Sequence, residues 1–163
     1  MHIIPFTHKK MTTDELDERS KALVEDILLL YQCKPTEKCY SHFASTVEFE
    51  DPLEHAKGAN SVRSSFNSLS GLFCKSDTLW WRVESSSDSL LKLVVMQKWE
   101  IAGIHKTVDK EHHLDIHLNE EQKIIKIEDR WEGKPLPNSA EGGKMGSLLE
   151  VRVVVAQRHI HSG

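Results

Sequence analysis

The stretch TVEFEDP, Thr46 to Pro52, decides how the rest of the chain is read. Val47, Phe49 and Asp51 fall on one side of a period-two pattern, and Thr46, Glu48 and Glu50 fall on the other. Alternation of this kind marks a half-buried strand, and Pro52, which has no amide hydrogen for a ladder, ends it. The apolar face therefore finishes on a carboxylate, which is the first candidate for chemistry.

Working outward, Thr12 and Glu15 have capping-box spacing, and Leu16, Leu23, Ile27 and Leu30 recur at helical period, predicting one amphipathic helix from Thr12 to about Tyr31. Pro35 suits the first turn of a short second helix carrying Cys39, Tyr40 and Phe43, where a missing amide hydrogen costs nothing. After Gly58, the spacing of Val62, Phe66 and Leu69 predicts a third helix, with Gly71 placed as its cap.

Alternation then returns four times. Leu79, Trp81 and Val83 share a face, as do Leu91, Leu93, Val95, Gln97 and Trp99. Val108, His112, Leu114, Ile116 and Leu118 form the next such face, and Ile125, Ile127, Asp129 and Trp131 the last. The polar segments SSSDS (Ser85–Ser89) and NEEQ (Asn119–Gln122) read as turns between them. The order predicts an α+β plan in which about three helices cover one face of a strongly bent antiparallel sheet. Residues 1–11 read as an N-terminal extension and 12–132 as one domain. Residues 133–163 read as a Pro/Gly/Ser-rich loop followed by an apolar tail, Leu148 to Ala156, packing on the domain.

Composition narrows the function classes. The 163 residues carry 21 basic and 25 acidic side chains, a formal charge of -4, so a clustered basic surface for nucleic acid is not expected. Three cysteines without a CxxC pair argue against a disulfide framework or a cysteine zinc site. No apolar run approaches the roughly 20 residues that cross a bilayer, and MHIIPFTHKK is too short and interrupted for a signal peptide, so no membrane association and a cytoplasmic location are expected. GGKMGS (Gly142–Ser147) lacks phosphate-loop spacing, and GxSxG and HExxH are absent, so no cofactor is expected. His113, Asp115 and His117 project from one strand face, but at roughly 6.5 to 7 Å between alternate residues they are too spread to share one ion, so no metal is expected either.

TVEFEDP, the helix opening at Gly58 and the closing KIIKIEDRW (Lys123–Trp131) together resemble the cone-fold superfamily of nuclear transport factor two, which includes ketosteroid isomerases and SnoaL-like polyketide cyclases. In ketosteroid isomerases the aspartate of the matching VEDP is the general base, so the resemblance offers that role to Asp51. In SnoaL-like relatives late-strand acids act as acid or base, which offers a role to Asp129. Aligned this way, Leu114 occupies the position of the isomerases' protonated aspartate and their first-helix tyrosine falls near Ile27. An enolate-stabilising pair of donors is thus missing, and steroid isomerisation is disfavoured.

On the residues themselves, an apolar surround would raise the Asp51 pKa and suit it to proton transfer, whereas aspartate before proline also serves to bond turn amides. Asp129 either faces a cavity or pairs with Arg130 or a basic helix residue. His112, alone on an apolar strand face, is a proton donor or a hydrogen-bonded core residue. Tyr40, Trp99, Leu114 and Trp131 are the expected ligand-binding wall. Two functions follow. One is a pocket for a small apolar molecule, with cofactor-free isomerase, cyclase or dehydratase chemistry drawing on Asp51, Asp129 and His112 with His112 or Tyr40 as donor. The other is a non-catalytic dimerisation or interaction module. A homodimer through the exposed sheet face is expected in either case.

Overall fold

The computed structural model describes residues 11–137; the loop and tail expected beyond Pro137 lie outside the described residues. The capping box at Thr12 is present, but it caps only a single 3-10 turn, Thr13–Glu15. Leu16 is extended, and the helix restarts one turn later, where the Asp17 carboxylate accepts from the Ser20 amide at 2.7 Å. Helix α1 therefore runs Glu18–Tyr31, burying Leu23, Val24, Ile27, Leu30 and Tyr31. Helix α2, Glu37–Ser41, is capped by Thr36, whose hydroxyl accepts from the Cys39 amide at 3.2 Å, so Pro35 precedes the helix instead of opening it.

Strand β1 (Phe43–Glu50) buries Val47 and Phe49 as the alternation requires. A three-residue strand, β2 (His55–Lys57), then folds back on it, too short to show periodicity in the sequence. Gly58, at φ +90°, turns the chain into α3, Ala59–Leu72, a conformation that strains any residue with a Cβ. Gly71 does not cap that helix; it lies inside its last turn, and Phe73 passes directly into β3 (Phe73–Ser86). Strands β4 (Leu90–Ile101), β5 (Thr107–Leu118) and β6 (Ile124–Trp131) complete the sheet.

The strand order is β2-β1-β6-β5-β4-β3. Neighbours are antiparallel except β1 and β6, which run parallel because the long excursion through α3 and the meander returns the chain beside β1 in the same direction. The cone-like α+β plan holds, as a mixed and unclosed sheet. Phe49 lies opposite Ile127 in the parallel pair, and continuing that register brings Asp51 level with Asp129 on the same face.

The inner faces of β4 and β5 follow the alternation: Leu91, Leu93, Val95, Gln97 and Trp99 are buried, and so are His112, Leu114, Ile116 and Leu118. On the opposite face of β5, His113 pairs with Glu111, His117 with Glu128, and Asp115 with Arg130.

Two positions depart from the expected faces, each at a pairing irregularity. Between β3 and β4 the register slips between Thr78 and Trp80, which turns Leu79 outward. Between β5 and β6, Leu118 pairs with Ile124 while His117 pairs with Lys126. The extra residue is Ile125, which is 37% exposed while Ile124 is completely buried. A bulge inverts the face of everything before it, so alternation extended backwards from Asp129 picks the wrong isoleucine. Ile124→Ala should accordingly cost about 2–5 kcal/mol in denaturant unfolding, whereas Ile125→Ala should stay within about 0.5 kcal/mol of the parent.

Candidate functional site

The C-terminal end of α1 would leave carbonyls unpaired, and the sheet supplies partners for one of them. The Tyr31 carbonyl accepts from the Ser76 hydroxyl at 2.7 Å and from the Gln97 amide at 3.3 Å. The same Gln97 nitrogen reaches Ser76 Oγ at 2.7 Å, and its oxygen accepts from the Thr78 hydroxyl at 2.8 Å. This polar clamp explains a completely buried glutamine on an otherwise apolar face, and it fixes where the Tyr31 ring goes.

The ring delivers its hydroxyl to Asp129, Oη to Oδ2, at 2.8 Å. Asp129 is 2% exposed, and its second partner is His112, with Nδ1 at 2.9 Å and 3.0 Å from the two carboxylate oxygens. On the other side of the imidazole, Trp99 Nε1 lies 3.3 Å from His112 Nε2. An indole nitrogen can only donate, so His112 Nε2 must accept, leaving its proton on Nδ1 for Asp129. The row Trp99, His112, Asp129, Tyr31 thus has one consistent direction of donation, in which Trp99 donates to His112 and Asp129 accepts from both His112 and Tyr31. Burial, followed by the charge of Asp129, holds the Tyr31 phenol well above its ordinary value, so it remains a donor.

Tyr31, His112 and Asp129 open with Asp51 onto an apolar cavity of about 190 Å³. Its walls include Phe49, Phe66, Phe73, Trp99 and Trp131, with Lys110 as the cation among the lining residues. The Lys110 ammonium sits 4.4 Å over the Trp131 ring, and the Trp131 indole N–H is buried without a partner among the described residues. A broader depression of about 750 Å³ between β2 and α3 is lined mostly by serines and charged side chains, so it lacks the apolar walls that hold a small organic ligand.

Asp51 combines both readings of the sequence. Its Oδ1 accepts from the Leu53 amide at 2.8 Å, the expected turn contact. Even so its pKa is raised to about 7, first by burial and then by the negative charge of Asp129 across the cavity. The Leu53 amide opposes the shift without cancelling it.

Of the expected site residues, Asp51, Asp129, His112, Trp99 and Trp131 line this one cavity. Leu114 does not: it is packed in the core beneath the site. Tyr40 does not either; its hydroxyl donates to Asn67 at 2.5 Å and Arg63 lies 4.6 Å from its ring, away from the cavity. Arg130 pairs with Asp115, not with Asp129. The residue that spacing missed is Tyr31. The alignment put the first-helix phenol at Ile27, which is core, and Tyr31 follows one turn later on the same helix face.

No family model and no curated protein matches the chain. Solved structures do. An NTF2-like protein from Anabaena variabilis ATCC 29413 superposes with a TM-score of 0.62 at 14% identity, covering 77% of this chain and 96% of that one. A candidate polyketide cyclase from Xanthomonas campestris pv. campestris gives 0.58 at 10% identity, covering 69% and 90%. A candidate isomerase from Rhodopseudomonas palustris gives 0.57 at 9% identity, covering 71% and 90%. At these identities the likeness establishes the fold, which is that of the NTF2-like proteins. Among the described residues no helix is long and apolar enough to cross a membrane.

The two aspartates should respond oppositely to substitution. Folding holds a proton on Asp51 up to about pH 7, whereas the unfolded chain releases it near the ordinary value of 3.8. The folded state therefore binds the extra proton between those values, and stability declines as pH rises through that window. Asp51→Asn keeps the acceptor for Leu53 and removes the charge, so its melting temperature should match the parent at pH 4 and exceed it at pH 8. Asp129→Asn strands one of two donors and should lose about 2–3 kcal/mol at pH 4, and less at pH 8, where it also removes the charge that opposes ionised Asp51.

Proposed function

We infer that this chain, with the fold of the NTF2-like proteins, binds a compact apolar carbonyl compound in the Asp51–Asp129 cavity and moves a proton on it without a cofactor. The observation that carries the reading is a single apolar cavity holding one carboxyl that titrates near neutrality beside another that accepts from two donors. A group with a pKa of about 7 is half ionised at neutral pH, the condition under which it can both take and return a proton. The similarity to candidate isomerase and polyketide cyclase structures is consistent with isomerase, cyclase or dehydratase chemistry.

Size restricts the substrate. A cavity of about 190 Å³ corresponds to about six water molecules at roughly 30 Å³ each. An apolar cavity of about 150 Å³ is known to hold benzene, and drug-sized ligands need about 300 Å³ or more. A single ring or a short chain fits this volume.

The roles follow from which protons are free. His112 has given its Nδ1 hydrogen to Asp129 and accepts on Nε2, so it positions Asp129 and donates nothing to a ligand. Tyr40 is outside the cavity. Proton transfer therefore falls to Asp51, and Lys110, at the wall beside Trp131, is the positive charge that a developing enolate would meet. Asp129 acts on Asp51 through its field, keeping the neighbouring carboxyl a weaker acid and hence a stronger base.

The test is exchange of α-hydrogens for deuterium in a panel of cyclopentanone- and cyclohexanone-sized ketones, followed by NMR. Exchange should rise with pH through about 7 as Asp51 ionises. It should fall about 100-fold or more in Asp51→Asn. If no ketone exchanges faster with the protein and none raises its melting temperature, the non-catalytic interaction module is the better reading.

A further inference from the structure

Cys74, Glu100 and His105 come from three parts of the chain and meet at one end of the sheet, apart from the cavity. Cys74 stands at the register shift where β3 begins, beside the last residues of β4. The Cys74 thiol donates to Glu100 Oε2 with sulfur and oxygen 3.0 Å apart. His105 belongs to the β4–β5 turn, which is closed by its amide donating to the Ile101 carbonyl at 3.0 Å. Its Nδ1 lies 3.9 Å from Cys74 Sγ and 3.9 Å from Glu100 Oε2.

We propose that Cys74 Sγ, Glu100 Oε2 and His105 Nδ1 form a surface site for a zinc-type divalent cation. With metal bonds of about 2.3 Å to sulfur and about 2.0–2.2 Å to nitrogen and oxygen, a tetrahedral ion requires ligand atoms about 3.4–3.6 Å apart. The observed edges of 3.0, 3.9 and 3.9 Å need shifts of only a few tenths of an ångström, and two of the three side chains are exposed and free to make them. The mixed sulfur, nitrogen and oxygen set suits zinc over magnesium or calcium, which prefer oxygen alone.

On binding, the Cys74 thiol proton leaves to solvent and a metal–thiolate bond replaces the thiol–carboxylate hydrogen bond. The fourth position stays open to water. Phe73 and Ile101, the chain neighbours of two ligands, line the cavity, so the ion would tie the start of β3 to the β4–β5 turn at the cavity rim. Among the described residues this is the group of histidine, cysteine and acidic side chains whose ligand atoms converge within 4.8 Å.

Cobalt(II) reports thiolate ligation directly, through a sulfur-to-metal charge-transfer absorption. Titrating the full-length, untagged, reduced chain with Co2+ should produce that absorption, saturating at one equivalent and bleached by an equivalent of Zn2+. Cys74→Ser should abolish it. His105→Ala and Glu100→Gln should each weaken Co2+ binding by about tenfold or more while leaving the metal-free melting temperature unchanged. No charge-transfer band, a band that survives Cys74→Ser, or affinity unaltered by His105→Ala would overturn the site.

Discussion

A carboxylate 2% exposed, inside a cone of aliphatic and aromatic side chains, is tolerable only if its charge is met by hydrogen-bond donors. Asp129 meets that condition with two, the Tyr31 phenol and the His112 imidazole, and neither donor is free to be elsewhere. Trp99 fixes the histidine tautomer from one side. From the other, Ser76 and Gln97 hold the Tyr31 carbonyl, so the last turn of α1 is registered against β3 and β4. Breaking a buried arrangement of this kind by removing one partner costs far more than the net worth of the intact pair. The polar row therefore ties the last turn of α1 to β3, β4, β5 and β6 at once.

The same charge sets the chemistry. Because β1 and β6 run parallel with Phe49 opposite Ile127, Asp51, just past the end of β1, faces Asp129 near the end of β6 across a small apolar space. An antiparallel pairing would have carried the two carboxyls to opposite ends of the sheet. Desolvation and the fixed neighbour then lift Asp51 to about 7. A single structural device, a buried aspartate that accepts from Tyr31 and His112, thus serves both the docking of α1 and the basicity of the second aspartate.

What could be read from the sequence is what local periodicity encodes. The facing sides of β4 and β5 follow from alternation because their pairing with each other is unbroken, Val47 and Phe49 follow it in β1, and Asp51, His112 and Asp129 stand out as polar residues on apolar faces. Ile125 and Leu79 were misplaced because a bulge is a property of two strands together and leaves no mark on either one's pattern. Tyr31 carries no signal of its own, because an aromatic residue at a helix end reads as core until the partner for its hydroxyl is known. Leu114 and Tyr40 were assigned to the wall by alignment and residue type, and their actual surroundings, core and surface, depend on how far the cone is filled. Cys74, Glu100 and His105 share no sequence spacing at all; a strand pair and a tight turn bring them together.

Burial, followed by the charge of Asp129, keeps the Asp51 carboxyl protonated up to about neutral pH. The direct measurement is the carboxyl carbon-13 chemical shift of Asp51 followed by NMR against pH, in the parent chain and in Asp129→Asn. The midpoint should lie at about 7 in the parent and fall toward the ordinary value near 3.8 in the variant, only partly, because burial remains. A parent midpoint near 4, or one indifferent to the loss of the Asp129 charge, would contradict this.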